Sequence, residues 1–388
     1  MKRFALERLK EWKEKPNRKP LIIRGARQVG KTWLMKEFGK TSFEKVAYVN
    51  FDSNTRMRQV FDGEINIERI VLAISAETGI SVNPENTLLI FDEVQEVPKA
   101  LSSLKYFCEN APEYAVVAAG SLLGVALHKG TSFPVGKVDF MDLYPLTFQE
   151  FLCALGEERF VEILRGKDTD MVTMFKSKYI DRLREYYFVG GMPEVVQTFV
   201  DTKDFNQVRE IQKNLLNYYQ QDFSKHAEIS LVPRLNLVWN SIPMQLAKEN
   251  KKYIYGQVRK GARAKDFELA IQWLLDCGLI HKVHRIEKPA LPLKAYMNLD
   301  IFKIYLLDVG LLMAMTDLNA QVIIDGNRIF TEFKGALTEQ YILQQLIAGE
   351  NVEPYYYSAE NSKGEIDFIL QGNTSVIPLE VKAEENLR

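Results

Sequence analysis

The run Gly25-Ala26-Arg27-Gln28-Val29-Gly30-Lys31-Thr32 has the residue types and the spacing to hold a polyphosphate. Glycines let the backbone come close to an anion, and unpaired N–H groups at a helix start point toward it. In such a loop Lys31 reaches the β- and γ-phosphates, and the Thr32 hydroxyl ligates Mg²⁺. Gly25, Ala26, Arg27, Gln28, Val29, Gly30, Lys31, Thr32 and the following Trp33 are therefore the expected nucleotide contacts. A pair of acids, Asp92-Glu93, closes the apolar run Thr87-Leu88-Leu89-Ile90-Phe91. Asp92 is expected to hold Mg²⁺ through water, and Glu93 to orient or deprotonate an attacking water. Ser121, just past the run Tyr114 to Ala119, is placed either to sense the γ-phosphate or to cap the helix that follows. Lys31, Glu93 and Ser121 form the expected catalytic set, and ATP or ADP with Mg²⁺ the expected ligands.

These residues require particular elements behind them. Pro20-Leu21-Ile22-Ile23 reads as a strand into the loop, and Trp33 to Phe38 has helical spacing out of it. Lys45 to Phe51 is β-rich, and Ile67, Ile70, Val71 and Ile74 share one helical face. Tyr114 to Ala119 and Lys137 to Leu143 supply further strands, which predicts an α/β fold with a parallel sheet whose ligands gather at the strand carboxyl ends. A strand between the phosphate loop and the acidic pair, with a glutamate beside the aspartate, marks NTPases that use the glutamate for hydrolysis.

Length and composition bound the rest. At 388 residues the chain calls for two to four domains, and 46% hydrophobic with 26% charged residues is ordinary for a globular protein. The apolar run Tyr114 to Leu127 is broken by Gly120, Ser121 and Gly124 and is too short for a bilayer, and no signal peptide opens the chain. The expectation is a cytoplasmic protein without membrane contact. Three cysteines, far apart, give neither a disulfide framework nor a zinc site. The net charge of −1 conceals two basic islands: residues 1–40 carry 13 Lys/Arg against 4 Glu, and residues 248–294 carry 11 against 5 acids. Such islands read as polyanion contacts or as solvated surface.

Downstream, residues 151–228 are helix-rich and contain Gly190-Gly191-Met192-Pro193. Residues 229–300 read as a winged helix: a helix closing at Leu246, a short strand at Ile254-Tyr255, an amphipathic helix over Asp266 to Leu275, then an alternating hairpin from Leu279. Arg259, Lys260, Arg263 and Lys265 open the recognition-helix position, where DNA phosphates would be met; an internal domain–domain role is the other reading. His281 and His284 fall on opposite faces of one strand, which is against a metal pair. In residues 301–388, Glu339 lies on an apolar-striped helix, Asp367 sits within Gly364 to Leu370, and Glu380-Val381-Lys382 follows 13 positions later.

GARQVGKT, LLIFDEVQ, AAGS, SFPVGKV and LYPLTFQEF together resemble a bacterial and archaeal family of AAA-like ATPases related to STAND and archaeal ATPases, with a C-terminal domain of unknown function. The resemblance implies a P-loop ATPase core over 1–150, a helical lid over 151–228, the winged helix over 229–300 and a nuclease-like α/β domain over 301–388. Where the family usually has VGR or PGR, this chain has Gly136-Lys137, a weaker phosphate partner than arginine for a neighbouring subunit. Gly-Gly-x-Pro resembles the STAND GxP motif, which implies Pro193 near an adenine; a helix-to-helix loop is the plain alternative. Glu339, Asp367, Glu380 and Lys382 resemble the PD-(D/E)XK nuclease core, with Asp367 and Glu380 as Mg²⁺ ligands. That fold carries a helix and strand after its lysine, whereas this chain ends at Arg388, so little or no cleavage is expected. The functional expectation is an ATP-dependent intracellular switch with ATP, DNA, a protein partner or a second copy as partners. An ATP-regulated DNA-processing nuclease and an ADP-bound signalling scaffold are the alternatives.

Overall fold

Five segments of the N-terminal third pair as parallel strands: Leu21–Arg24 (β1), Lys45–Asn50 (β2), Thr87–Asp92 (β3), Ala115–Ala119 (β4) and Asp139–Asp142 (β5), in the order β2-β3-β4-β1-β5. They belong to a computed structural model that describes residues 1–120, 133–248, 251–319, 331–350, 352–359 and 364–383. β3 and β4 are buried along their whole length, which is why they read as continuous apolar runs and not as alternating ones. The helix α1 (Ala5–Glu14) precedes the sheet, and α2 (Lys31–Ser42) leaves the phosphate loop. Between β2 and β3 the chain makes two helices, α3 (Thr55–Asp62) and α4 (Ile67–Thr78), each started by an asparagine whose side chain accepts a backbone N–H: Asn54 from Met57 and Asn66 from Arg69. The helix α5 (Pro98–Asn110) follows β3.

Aromatic packing steadies the end of β3. Phe91 meets Phe51, Phe61 and Phe107 edge to face, with ring centroids 5.6, 6.0 and 6.0 Å apart. All four rings are at most 1% exposed. Burial of this size, with favourable ring geometry, locks the residue just before Asp92.

The chain divides into two compact units, Arg3–Tyr144 and Pro145–Arg388, the latter joined by Met1–Lys2. The division falls before the expected 150. Thr147 caps the helix Phe148–Ala154 with a capping box to Glu150, and the Leu146 N–H donates to the Gly191 carbonyl at 2.7 Å, so this helix belongs to the second unit.

The second unit holds a five-stranded sheet of Ile280–Ile286 (β6), Met297–Leu306 (β7), Tyr355–Ser358 (β8), Glu365–Gln371 (β9) and Val376–Leu379 (β10), in the order β10-β9-β8-β6-β7. β6 and β8 are parallel and the other neighbours antiparallel. This corrects two expectations. A boundary at 300/301 would cut β7, because the hairpin β6–β7 belongs to the same sheet as β8 to β10. The strand expected at Ile254-Tyr255 is instead the single helical turn Tyr255–Val258; one strand-like bond remains, from the Tyr253 N–H to the Phe302 carbonyl at 2.8 Å. The helix Thr331–Glu350 docks on the end of β7 through buried amides. Gln340 exchanges two hydrogen bonds with the Leu306 backbone, and Gln344 accepts from the Val309 N–H. Among the described residues no helix is long and apolar enough to cross a membrane.

Candidate functional site

The phosphate loop is shaped by three backbone positions with positive φ. Gly25 has φ 146°, Gln28 65° and Gly30 94°. A Cβ on Gly25 would collide with the Leu143 carbonyl oxygen, so only glycine lets β1 turn there. Gly30 is the N-cap of α2 and supplies no side-chain cap, leaving the helix-start N–H groups for an anion. Ala26 and Val29 are buried and anchor the loop. Arg3, also buried, donates to the Val29 carbonyl at 3.1 Å and the Tyr144 carbonyl at 2.7 Å. This member of the first basic island thus braces the loop, a role its own neighbourhood in sequence does not signal.

Lys31 is 7% exposed, and its ammonium donates to the Gly25 and Ala26 carbonyls at 2.9 and 2.7 Å. Burial pushes its pKa down to about 8, against the opposing pull of Glu93 and Asp92. The Thr32 hydroxyl donates to Asp92 Oδ2 at 2.7 Å, and the Tyr48 phenol donates to the same oxygen at 2.9 Å. Burial and then Asp92 raise the Tyr48 pKa to about 12, so the phenol keeps its proton. Glu93 takes the left-handed conformation, φ 51° and ψ 44°. Its N–H donates to Asp92 Oδ1 at 3.1 Å, and its carboxylate accepts from Gln95 Nε2 at 2.6 Å. Trp33 is 41% exposed beside the loop. Ser121 lies outside the described residues. Lys137 pairs with Glu109 at 2.9 Å.

The oxygen donors fit a magnesium–nucleotide complex. A hydroxyl and a carboxylate oxygen already meet across α2 and β3, and hard oxygen donors of this kind are what Mg²⁺ takes alongside phosphate. Tyr48 and Gln95 are the members of the site that motif reading missed; each lies near a motif residue only through strand pairing or a turn.

Residues 17–152 match the family model of an AAA domain. The N-terminal unit thus joins a match to the AAA-domain model with the parallel sheet and phosphate loop of a P-loop fold. Residues 180–322 match a domain of unknown function (DUF8612), and residues 334–388 match another (DUF4143). No curated protein sequence matches the chain. Among solved structures, a Walker-type ATPase of Pyrococcus abyssi is 15% identical, covering 81% of this chain and 95% of its own, with a TM-score of 0.49. The Aeropyrum pernix ORC2 protein in its ADP form is 14% identical over 79% of this chain and 87% of its own, TM-score 0.32. The Aeropyrum pernix ORC1 protein in complex with DNA is 12% identical over 80% and 91%, TM-score 0.28. At these values the ligands of those proteins remain theirs alone.

In the second unit Gly190 and Gly191 have an internal explanation. The buried Asp308 caps the helix Val309–Met315 and accepts from the Gly191 N–H at 2.6 Å and from Gln344 at 3.0 Å. A Cβ on Gly190 would strike Asp308, and one on Gly191 the Leu146 carbonyl. Pro193 is the first residue of its helix, where a missing N–H costs nothing. Arg259, Lys260, Arg263 and Lys265 are exposed. His281 is part-buried, and desolvation lowers its pKa to about 4 and favours the neutral imidazole.

The nuclease-like acids do come together, but with cations of their own. Glu339, 5% exposed, takes the Lys251 ammonium on Oε1, the Tyr305 phenol on Oε2 at 2.9 Å and Lys303 at 3.7 Å. Lys303, 1% exposed, also pairs with Glu365 at 2.6 Å. Asp367 accepts the Val381 N–H at 2.8 Å, and Lys382 pairs with Glu380. Glu380 and Lys382 lie just beyond the end of β10, an edge strand among the described residues. Among these residues no group of three or more His, Cys, Asp or Glu is placed to hold a metal ion. With Glu339 already neutralised by lysines, the donor set does not fit a metal-dependent nuclease, and no step is derived through one.

Burial, then repulsion from Glu339, raises the Asp367 carboxyl to about 6. Its folded pKa thus exceeds the ordinary aspartate value of about 3.9, so its contribution to stability is full below that value and is lost as pH rises through 6. Asp367→Asn keeps a carbonyl acceptor for Val381 and cannot ionise. Thermal unfolding followed in EDTA should show the variant more stable than wild type at pH 8, with the difference about half as large at pH 5. A variant less stable than wild type at pH 8 would contradict this reading.

Proposed function

We propose that the N-terminal unit binds ATP with Mg²⁺ and hydrolyses it slowly, and that the chain works as a nucleotide-dependent switch. The observation that carries this reading is the Thr32 hydroxyl bonded to Asp92 at 2.7 Å, with Glu93 the next residue. Nucleotide draws the Lys31 ammonium from two neutral carbonyls to phosphate oxygens, a stronger charge-assisted pairing. Thr32 and Asp92 would hold the Mg²⁺ that accompanies ATP, Asp92 through water, and the ion would supply charge neutralisation at the phosphates. Glu93 accepts a proton from water as the water oxygen bonds to the γ-phosphorus and the bond to the β–γ bridging oxygen breaks, yielding ADP and phosphate. Trp33 offers an exposed ring beside the loop for the base. Lys31→Ala should abolish nucleotide binding by fluorescent-nucleotide titration, whereas Glu93→Gln should bind normally and hydrolyse about 10²-fold or more slowly. Equal turnover by wild type and Glu93→Gln would overturn the assignment.

DNA contact is a second reading, supported by the exposure of Arg259, Lys260, Arg263 and Lys265 ahead of and on the helix Ala264–Asp276. Binding of this kind is sequence-tolerant and weakens steeply with salt. Changing Arg259, Lys260 and Arg263 together to Ala should lower affinity for duplex DNA several-fold at low salt and flatten its salt dependence. Unchanged affinity would make this face structural.

A further inference from the structure

We propose that Gln95 is a positioning residue for hydrolysis, its amide holding the Glu93 carboxylate through Nε2 in the orientation from which it takes a proton from the attacking water. This rests on the ATPase reading above and goes beyond it, because no motif places a glutamine in that step.

Several observations lead there. Val94, fully buried, pins the single turn Val94–Glu96 to the core, and the Glu96 N–H donates to the Glu93 carbonyl at 3.0 Å. The turn brings Gln95 back over Glu93, whose left-handed backbone is a strained choice for a glutamate and persists where surroundings over-determine it. An ionised carboxylate only accepts hydrogen bonds, so the amide edge facing Glu93 Oε2 at 2.6 Å must be the NH₂ group. The amide oxygen then faces away. That oxygen is shut off from solvent and has no partner among the described residues. A buried acceptor left open is costly, and that cost is tolerated where the turn and the Nε2 bond to Glu93 over-determine the side chain. So held, the Glu93 carboxylate keeps one orientation, and the proton it takes from water leaves the water oxygen a lone pair for the γ-phosphorus. Asp92 and Lys31, the charged groups that flank Glu93, are already engaged by Thr32, Tyr48 and the loop carbonyls.

The test is single-turnover hydrolysis of MgATP by wild type, Gln95→Met, Glu93→Gln and the double variant, each checked for nucleotide affinity. Gln95→Met keeps the length of the side chain and loses both polar ends; Gln95→Glu keeps an acceptor and repels Glu93, and guards against a misfolded methionine variant. Both single changes at Gln95 should slow hydrolysis at least about 30-fold while nucleotide affinity stays within about twofold of wild type. In the Glu93→Gln background, Gln95→Met should add less than about threefold, because the two residues act as a unit. Hydrolysis by Gln95→Met within about twofold of wild type, or full additivity in the double variant, overturns the role of Gln95 while leaving the ATPase reading intact if Glu93→Gln is slow. Equal turnover by wild type and Glu93→Gln overturns both.

Discussion

A single buried carboxylate organises the nucleotide site. Asp92 is 2% exposed at the end of β3, and a buried charge of this kind must be satisfied from all sides. Its Oδ2 takes the Thr32 hydroxyl from α2 and the Tyr48 phenol from β2, and its Oδ1 takes the Glu93 N–H. The demand falls on the whole unit. β2 must run parallel beside β3 so that Tyr48 can reach, the loop must deliver Thr32, and the aromatic packing of Phe91 must hold the strand end in place. Glu93 inherits its position from that arrangement, and the strained backbone there is the cost of presenting a carboxylate next to one already committed.

What the amino-acid sequence revealed of this site depended on how local each feature is. The phosphate loop and the Asp92-Glu93 pair are contiguous, so residue type and spacing expose them directly, and the buried strands β1, β3 and β4 announce themselves as apolar runs. Tyr48 is 44 residues from the carboxylate it serves, and nothing around it distinguishes it from another strand tyrosine. Arg3 reads as one of many basic residues near the start of the chain, yet it is buried under the loop. Gln95 lies two residues from Glu93, but only the turn at Val94 gives its amide a direction.

The second unit shows the same limit more sharply. Lys251 belongs to a basic island that reads as surface charge, and it is drawn inward to Glu339, 88 residues away. Lys303, from β7, completes the neutralisation. The acids that resemble a nuclease core therefore sit in an internal ion-pair network whose partners no local motif contains. The hairpin of the expected winged helix is likewise shared with β8 through a parallel pairing that alternation along β6 alone does not encode. The Gly190-Gly191 pair answers to the packing of Asp308 and Leu146 whatever else it does.

The central claim is that the Lys31 ammonium, held on loop carbonyls with its pKa brought to about 8 by burial, is the counter-charge for bound phosphates. Phosphate oxygens favour the charged amine, so nucleotide must bring a proton with it wherever the free protein has lost one. Calorimetric titration with MgATP at pH 8.5, repeated in buffers of different ionisation enthalpy, measures that proton directly. The account predicts net proton uptake by wild type and none by Lys31→Arg, whose guanidinium stays charged throughout. A binding heat independent of buffer, or the same proton uptake in Lys31→Arg, would contradict it.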